Sequence, residues 1–171
     1  MFADSPSVLN SRTVVVLPRL DAEALLHTSQ SVCISITNPR QHVANLVGWH
    51  DVLRLGYHDT TDPHGPHQVF SAEQAKVLLA FVRAHRRRAL CVHCEHGVSR
   101  SYATGLFLAD WLYRDLVGPS EGVPNEWVLQ ELRHAARRLA WRWRDLALLR
   151  TSWRKTSKLL EDVTLEHLHR L

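Results

Sequence analysis

The chain has 171 residues, of which 45% are apolar and 22% are charged, a balance that is typical of a globular protein and excludes a disordered or fibrous one. Its formal net charge of +4 is compatible with an anionic substrate. No apolar run reaches the roughly 18 residues of a membrane span, no segment reads as a secretory signal, and three cysteines do not suggest a disulfide framework. We therefore expect a cytoplasmic protein with no membrane span.

Strands dominate the first part of the chain. The apolar run Val14–Leu17 predicts a first strand, Asp21–Leu26 has helical character, and Ser31–Thr37 alternates like a second strand. Val52–Leu55 predicts a third strand, and a polar loop over residues 56–68 follows it. Strands that are separated by helices in this way are typical of α/β folds.

Helices and strands alternate in the second part. The four residues from Ser71 have the form of a capping box, so we expect a helix to begin there. Ala89–Val92 predicts another strand, and the apolar residues after Arg100 predict a buried helix as far as about Leu116. Asn125 can cap a final helix. Together these elements predict an α/β fold with a central, mostly parallel sheet flanked by helices.

One stretch in the middle of the chain carries the chemistry: His93-Cys94-Glu95-His96-Gly97-Val98-Ser99-Arg100-Ser101. A strand that turns into a helix N-terminus directs backbone N–H groups at one point, which makes such a loop an anion site. Arg100 can bind two oxygens of a phosphate with its planar guanidinium. The same positive field would favour the thiolate of Cys94. The loop therefore predicts a nucleophilic sulfur that faces a bound phosphate.

This stretch resembles the signature loop of the protein tyrosine phosphatase superfamily, in its cysteine-based, dual-specificity-like branch (H-C-x-x-G-x-S-R-S). The resemblance covers about residues 13–139. It implies a phosphatase-type fold in which the phosphate-binding loop lies between a strand and a central helix. It also implies that no cofactor or metal is needed.

The resemblance implies a role for each residue of the loop. Cys94 would be the nucleophile, Ser101 would assist the departure of its thiolate, and His93 would support the loop by hydrogen bonds. The phosphate would be bound by the six residues Glu95, His96, Gly97, Val98, Ser99 and Arg100. His96 departs from the family pattern, in which alanine is usual, and its role stays open.

The reaction also needs an acid that protonates the leaving oxygen and later, as a carboxylate, deprotonates the attacking water. In the family this aspartate follows a strand some tens of residues before the cysteine. Asp59 lies 35 residues before Cys94 and fits the family's aromatic-x-Asp pattern with Tyr57, so we assign the acid to Asp59. Asp62 is the alternative. Either aspartate could instead cap a turn of the loop.

The cysteines and histidines of residues 91–96 admit a second interpretation. Cys91 and Cys94 have dithiol spacing, and with His93 and His96 they could bind zinc. However, no further pair of ligands follows, and Cys91 falls within a predicted strand. We therefore expect no metal here and interpret Cys91 as a small core residue.

We expect a phosphatase domain over residues 10–140 and a helical extension over residues 141–171 that packs on it. The extension interleaves tryptophan with arginine and could instead face RNA, anionic lipid or a phosphorylated partner. The implied substrate is a phosphorylated protein that carries phosphotyrosine, with dual specificity left open, and we expect no nucleic acid. The alternatives are an RNA 5′-phosphatase with the same loop chemistry and a non-catalytic phosphopeptide-binding module. The sequence does not predict the oligomeric state.

Overall fold

A computed structural model describes residues 9–25 and 28–139 of the chain. The chain divides into two compact units, residues 1–135 and residues 136–171. Residues 136–139 of the second unit are described and are helical. The predicted extension over residues 141–171 lies outside the described residues, as does Leu26 at the end of the first predicted helix.

The first unit is built on a sheet of five strands: β1 (Thr13–Pro18), β2 (Ser31–Thr37), β3 (Asp51–Gly56), β4 (Ala89–Cys94) and β5 (Asp115–Val117). Their order across the sheet is β3-β2-β4-β1-β5, and every pairing is parallel. The predicted α/β fold with a parallel sheet is therefore confirmed. The strand β4 is central, so the residues after it emerge between the carboxyl ends of β2 and β1. Ligands of parallel sheets bind at this edge.

The described residues contain four helices: α1 (Arg19–Ala24), α2 (Ala72–Ala84), α3 (Arg100–Leu112) and α4 (126–139). The capping box of α2 is formed, since Ser71 Oγ accepts from the Gln74 N–H and the Gln74 side chain accepts from the Ser71 N–H. Asn125 caps α4, because its Oδ1 accepts from the Val128 N–H at 3.1 Å. Both predicted helix starts are confirmed. None of the helices in residues 9–25 and 28–139 is long and apolar enough to cross a membrane.

The predicted end of the helix after the loop is wrong. The sequence predicted a helix as far as about Leu116, whereas α3 ends at Leu112 and β5 follows. Tyr113 takes a left-handed conformation with φ 54°, and its N–H closes the last turn of the helix. Leu116 then pairs with Val14 of β1. A run of a few apolar residues fits a helix or a strand equally well. Here the run forms a strand because it can pair with the edge of β1.

Cys91 is a core residue, as predicted. It lies opposite Cys33 on the neighbouring strands β4 and β2, and both side chains are completely buried. A hydrogen bond between the Cys91 thiol and Cys33, together with burial, raises the pKa of Cys91, which keeps the thiol neutral. Residues three apart on a strand point to opposite faces, so Cys91 and Cys94 do not form a dithiol site. In the part of the chain that the structure describes, no group of three or more His, Cys, Asp or Glu side chains could hold a metal ion.

We predict that Gly105→Ala destabilises the protein by about 1–3 kcal/mol. Gly105 lies inside α3, where alanine ordinarily stabilises a helix by about 1 kcal/mol, but an added Cβ would overlap Cγ2 of Val16 in β1. Urea denaturation measures the effect. The control is Val77→Ala on an exposed position of α2, which we expect to be neutral or stabilising. A Gly105→Ala variant of unchanged stability would contradict the close packing of α3 on β1.

Candidate active site

The loop between β4 and α3, residues 95–99, passes directly over the end of β1. Gly97 has a φ of 77°, which L side chains rarely adopt. A Cβ at this position would also lie 2.7 Å from the backbone nitrogen of Pro18 and 2.8 Å from the carbonyl carbon of Leu17. These are backbone atoms of a strand and cannot give way. Only glycine fits here, which explains the glycine of the signature.

Three of the five backbone carbonyl groups of this loop accept hydrogen bonds from other parts of the chain or from α3. The carbonyl oxygen of Glu95 accepts from the Arg19 N–H at 3.2 Å, that of Val98 accepts from the Val123 N–H at 2.9 Å, and that of Ser99 accepts from the Ala103 N–H at 2.8 Å. By contrast, the N–H groups of residues 96–99 donate to no other described residue. A short loop that uses its carbonyls and leaves consecutive N–H groups available has the character of an anion-binding nest.

Cys94 ends β4 beneath this loop. Its Sγ is buried and lies 3.0 Å from Oγ of Ser101, which belongs to the first turn of α3 and is completely buried. A hydroxyl at this distance can donate a hydrogen bond to a thiolate. The structure therefore brings Cys94 and Ser101 together, as the resemblance implied.

The guanidinium of Arg100 is buried and is held from two sides. Its Nη1 donates to Oδ1 of Asn38 at 2.8 Å and to the backbone oxygen of Tyr57 at 2.8 Å. Its Nε is also buried, but has no hydrogen-bond partner among the described residues and lies 3.9 Å from Oδ2 of Asp59. A buried, unpaired N–H of a cation is costly unless an acceptor reaches it, so this atom marks a place for an anionic oxygen.

Of the two candidate acids, the structure brings Asp59 to the loop. Oδ1 of Asp59 accepts from Ser99 Oγ at 2.9 Å and from Asn125 Nδ2 at 2.9 Å. Asp62 instead forms a local turn, because its Oδ1 accepts from the His64 N–H at 2.9 Å. The placement agrees with the sequence-based choice of Asp59, and its role as the acid stays a prediction.

The two histidines of the signature lie in different environments. His93 is completely buried. Burial lowers the pKa of His93 to about 4, although the Cys94 backbone opposes this shift in part. The imidazole is therefore neutral near pH 7. His96 is exposed on the loop. The carboxylate of Glu95 lies 3.8 Å from Nη1 of Arg19.

Three contacts of this site were not predicted from the sequence. Asn38 and Tyr57 directly follow β2 and β3, and they meet Arg100 only because β2 lies next to β4 in the sheet. Asn125 was predicted as a helix cap, and it also bonds the carboxylate of Asp59. The available signal was the position of polar residues just after predicted strands, which in a parallel sheet share one edge.

No family model and no curated protein sequence matches the chain. Among solved structures, human DUSP28 aligns with a TM-score of 0.53 and 19% identity, over 78% of this chain and 99% of that chain. A mouse protein described as a dual specificity phosphatase, complexed with zinc tungstate, aligns with a TM-score of 0.53 and 17% identity, over 83% of this chain and 94% of that chain. The chain has the dual-specificity phosphatase fold. The resemblance that the signature loop suggested is thus confirmed at the level of the fold.

We predict that Arg100→Lys weakens the binding of inorganic phosphate or tungstate by about tenfold or more, although the charge is kept. Lysine has neither the Nε that is left unpaired here nor the planar geometry of guanidinium. Isothermal titration calorimetry measures the affinity, and thermal denaturation checks that the variant folds. Arg114→Lys is the control, because Arg114 donates to the backbone oxygen of Arg88 and not to the loop. Equal phosphate affinity in both variants would contradict this role of Arg100.

Proposed function

We propose that this chain is a phosphomonoester hydrolase, and more specifically a protein tyrosine phosphatase that works through a cysteinyl-phosphate intermediate. One observation carries the proposal: the available N–H groups of residues 96–99 lie between the sulfur of Cys94, at the end of β4, and the unpaired Nε of Arg100, at the start of α3. The mouse protein with the same fold is complexed with tungstate, which is a tetrahedral oxyanion like phosphate. That likeness supports a phosphate site.

In the first step, Sγ of Cys94 attacks the phosphorus while the bond to the tyrosine oxygen breaks. The loop N–H groups and Arg100 bind the phosphoryl oxygens, whose charge they stabilise in the transition state. Asp59, in its protonated form, donates a proton to the leaving phenolate oxygen. Its 3.9 Å separation from Arg100 puts it beside the group that binds the phosphate.

In the second step, water attacks the phosphorus of the cysteinyl-phosphate and the P–S bond breaks. Asp59, now a carboxylate, takes a proton from that water. The sulfur leaves as a thiolate, which Ser101 Oγ stabilises from 3.0 Å. The products are inorganic phosphate and the original enzyme, and no step requires a metal or a cofactor.

A non-catalytic phosphopeptide-binding module remains the rival from another class. Binding alone would use the N–H groups and Arg100, and would have no need for the paired Cys94 and Ser101. This pair therefore favours an enzyme. The other rival, an RNA 5′-phosphatase, rested on the basic residues 141–171, which lie outside the described residues.

We expect Cys94→Ser to abolish the hydrolysis of phenyl phosphate and of phosphotyrosine peptides, and to leave phosphate binding largely intact. Serine keeps the loop and Arg100 but is a far weaker nucleophile near pH 7. Steady-state kinetics with a chelator present and calorimetry with phosphate measure the two effects. Cys91→Ser is the matched control, since the buried Cys91 should affect stability and not turnover. Full activity of Cys94→Ser would overturn the proposal, and phosphoserine peptides in the same assay test dual specificity.

The assignment of Asp59 as the acid can be tested with substrates whose leaving groups differ in their need for a proton. If Asp59 protonates the leaving oxygen, Asp59→Asn should lower kcat by roughly 10²–10⁴ for phenyl phosphate. The loss should be much smaller for nitrophenyl phosphate, because nitrophenolate departs with little help. Asp62→Asn is the control on the same loop and should change both rates only slightly. A loss that depends on the leaving group in Asp62→Asn, and not in Asp59→Asn, would reverse the assignment.

A further inference from the structure

Two exposed valines lie at the phosphate loop, one in the loop and one in a segment that is bonded to it. Val98 belongs to the loop and is 40% exposed, and Val123 belongs to the segment between β5 and α4 and is 74% exposed. They are joined through the backbone, because the Val123 N–H donates to the Val98 carbonyl oxygen at 2.9 Å. We name Val98 and Val123 the valine ledge. No mechanistic step described above uses either side chain.

The segment that carries Val123 is held in place on both sides, by packing before Val123 and by a hydrogen bond after it. Gly122 lies flat against the ring of Tyr102, where an added Cβ would come within 2.5 Å of ring carbon Cγ. On the other side, the amide of Asn125 donates to the carboxylate of Asp59. The segment that carries Val123 is therefore fixed to the first turn of α3 and to the acid. A fixed apolar surface can bind a side chain without first losing conformational freedom.

Two carboxyl groups flank Val123. Glu121 is exposed and lies two positions before it, and the carboxyl group of Asp59 accepts from Asn125, two positions after it. An acidic side chain at the ledge would meet the like charge of Glu121, whereas an apolar one would gain from leaving water.

We propose that the valine ledge is a specificity site, which binds an apolar side chain next to the phosphate-bearing residue of a protein substrate. This inference rests on the proposed phosphatase function. The phosphate would anchor the substrate on the loop, so the neighbouring side chain reaches the ledge at a high effective concentration. Single apolar residues are common on protein surfaces. This pair differs because it borders the anion site and is fixed to it.

Two phosphotyrosine peptides test the ledge, identical except for leucine or aspartate on both sides of the phosphotyrosine. We expect the wild-type protein to prefer the leucine peptide by about five- to tenfold in kcat/KM. Val123→Ser should reduce the preference to below about twofold and leave phenyl phosphate hydrolysis unchanged, because phenyl phosphate has no neighbouring side chain that could occupy the ledge. Val77→Ser is the matched control: Val77 is 52% exposed on α2, and its loss should keep the preference.

Several outcomes would overturn the inference. One is equal kcat/KM for the two peptides in the wild type, and another is a preference that survives Val123→Ser. If Val123→Ser lowers kcat/KM for all substrates, phenyl phosphate included, then Val123 only holds the loop. If Val123→Ser changes the oligomeric state, measured by analytical ultracentrifugation, and keeps the peptide preference, then the ledge serves self-association. If the wild type hydrolyses no phosphate ester, the proposed function fails. The ledge is then tested by binding alone: fluorescence anisotropy compares the affinities of Cys94→Ser for the leucine and aspartate peptides, and equal affinities would overturn the inference.

Discussion

The site depends on the burial of one guanidinium. Arg100 is almost entirely removed from water, and the polar groups that compensate for this come from the ends of β2 and β3. Burying a cation is costly unless it is paired, so the position of Arg100 ties the phosphate loop to two strands that are distant in sequence. Asn38 and the backbone of Tyr57 satisfy Nη1 and leave Nε available. A bound phosphate would supply the missing acceptor and the missing charge together.

A second set of contacts links Asp59, the proposed acid, to the same loop. Ser99 and Asn125 both donate to Oδ1 of Asp59, and Asn125 also caps α4. The orientation of the carboxylate is therefore coupled to the loop that would bind phosphate and to the start of a packed helix. A general acid works only when it is positioned within hydrogen-bond reach of the leaving oxygen. The same segment carries Val123, so Asp59 and the valine ledge are held by the same segment.

The elements that the sequence predicted correctly are those with local signals. The capping box at Ser71, the strand over Ser31–Thr37 and the cap at Asn125 were predicted from neighbouring residues, and all three appear in the structure. The segment around Leu116 has no such signal, because a short apolar run suits either a helix or a strand. It became β5 because β1 offered an unpaired edge and Tyr113 closed the helix first.

The sequence by itself determined the fold class and located the candidate phosphate loop, since a cysteine, a glycine and an arginine at fixed spacing between a strand and a helix leave few alternatives. It could not determine the partners of Arg100, or show that Asp59 rather than Asp62 meets the loop. Those contacts join residues tens of positions apart, and they depend on the order β3-β2-β4-β1-β5, which no local pattern encodes. Strand order follows from the packing of the whole sheet and its helices, so only the tertiary structure decided it.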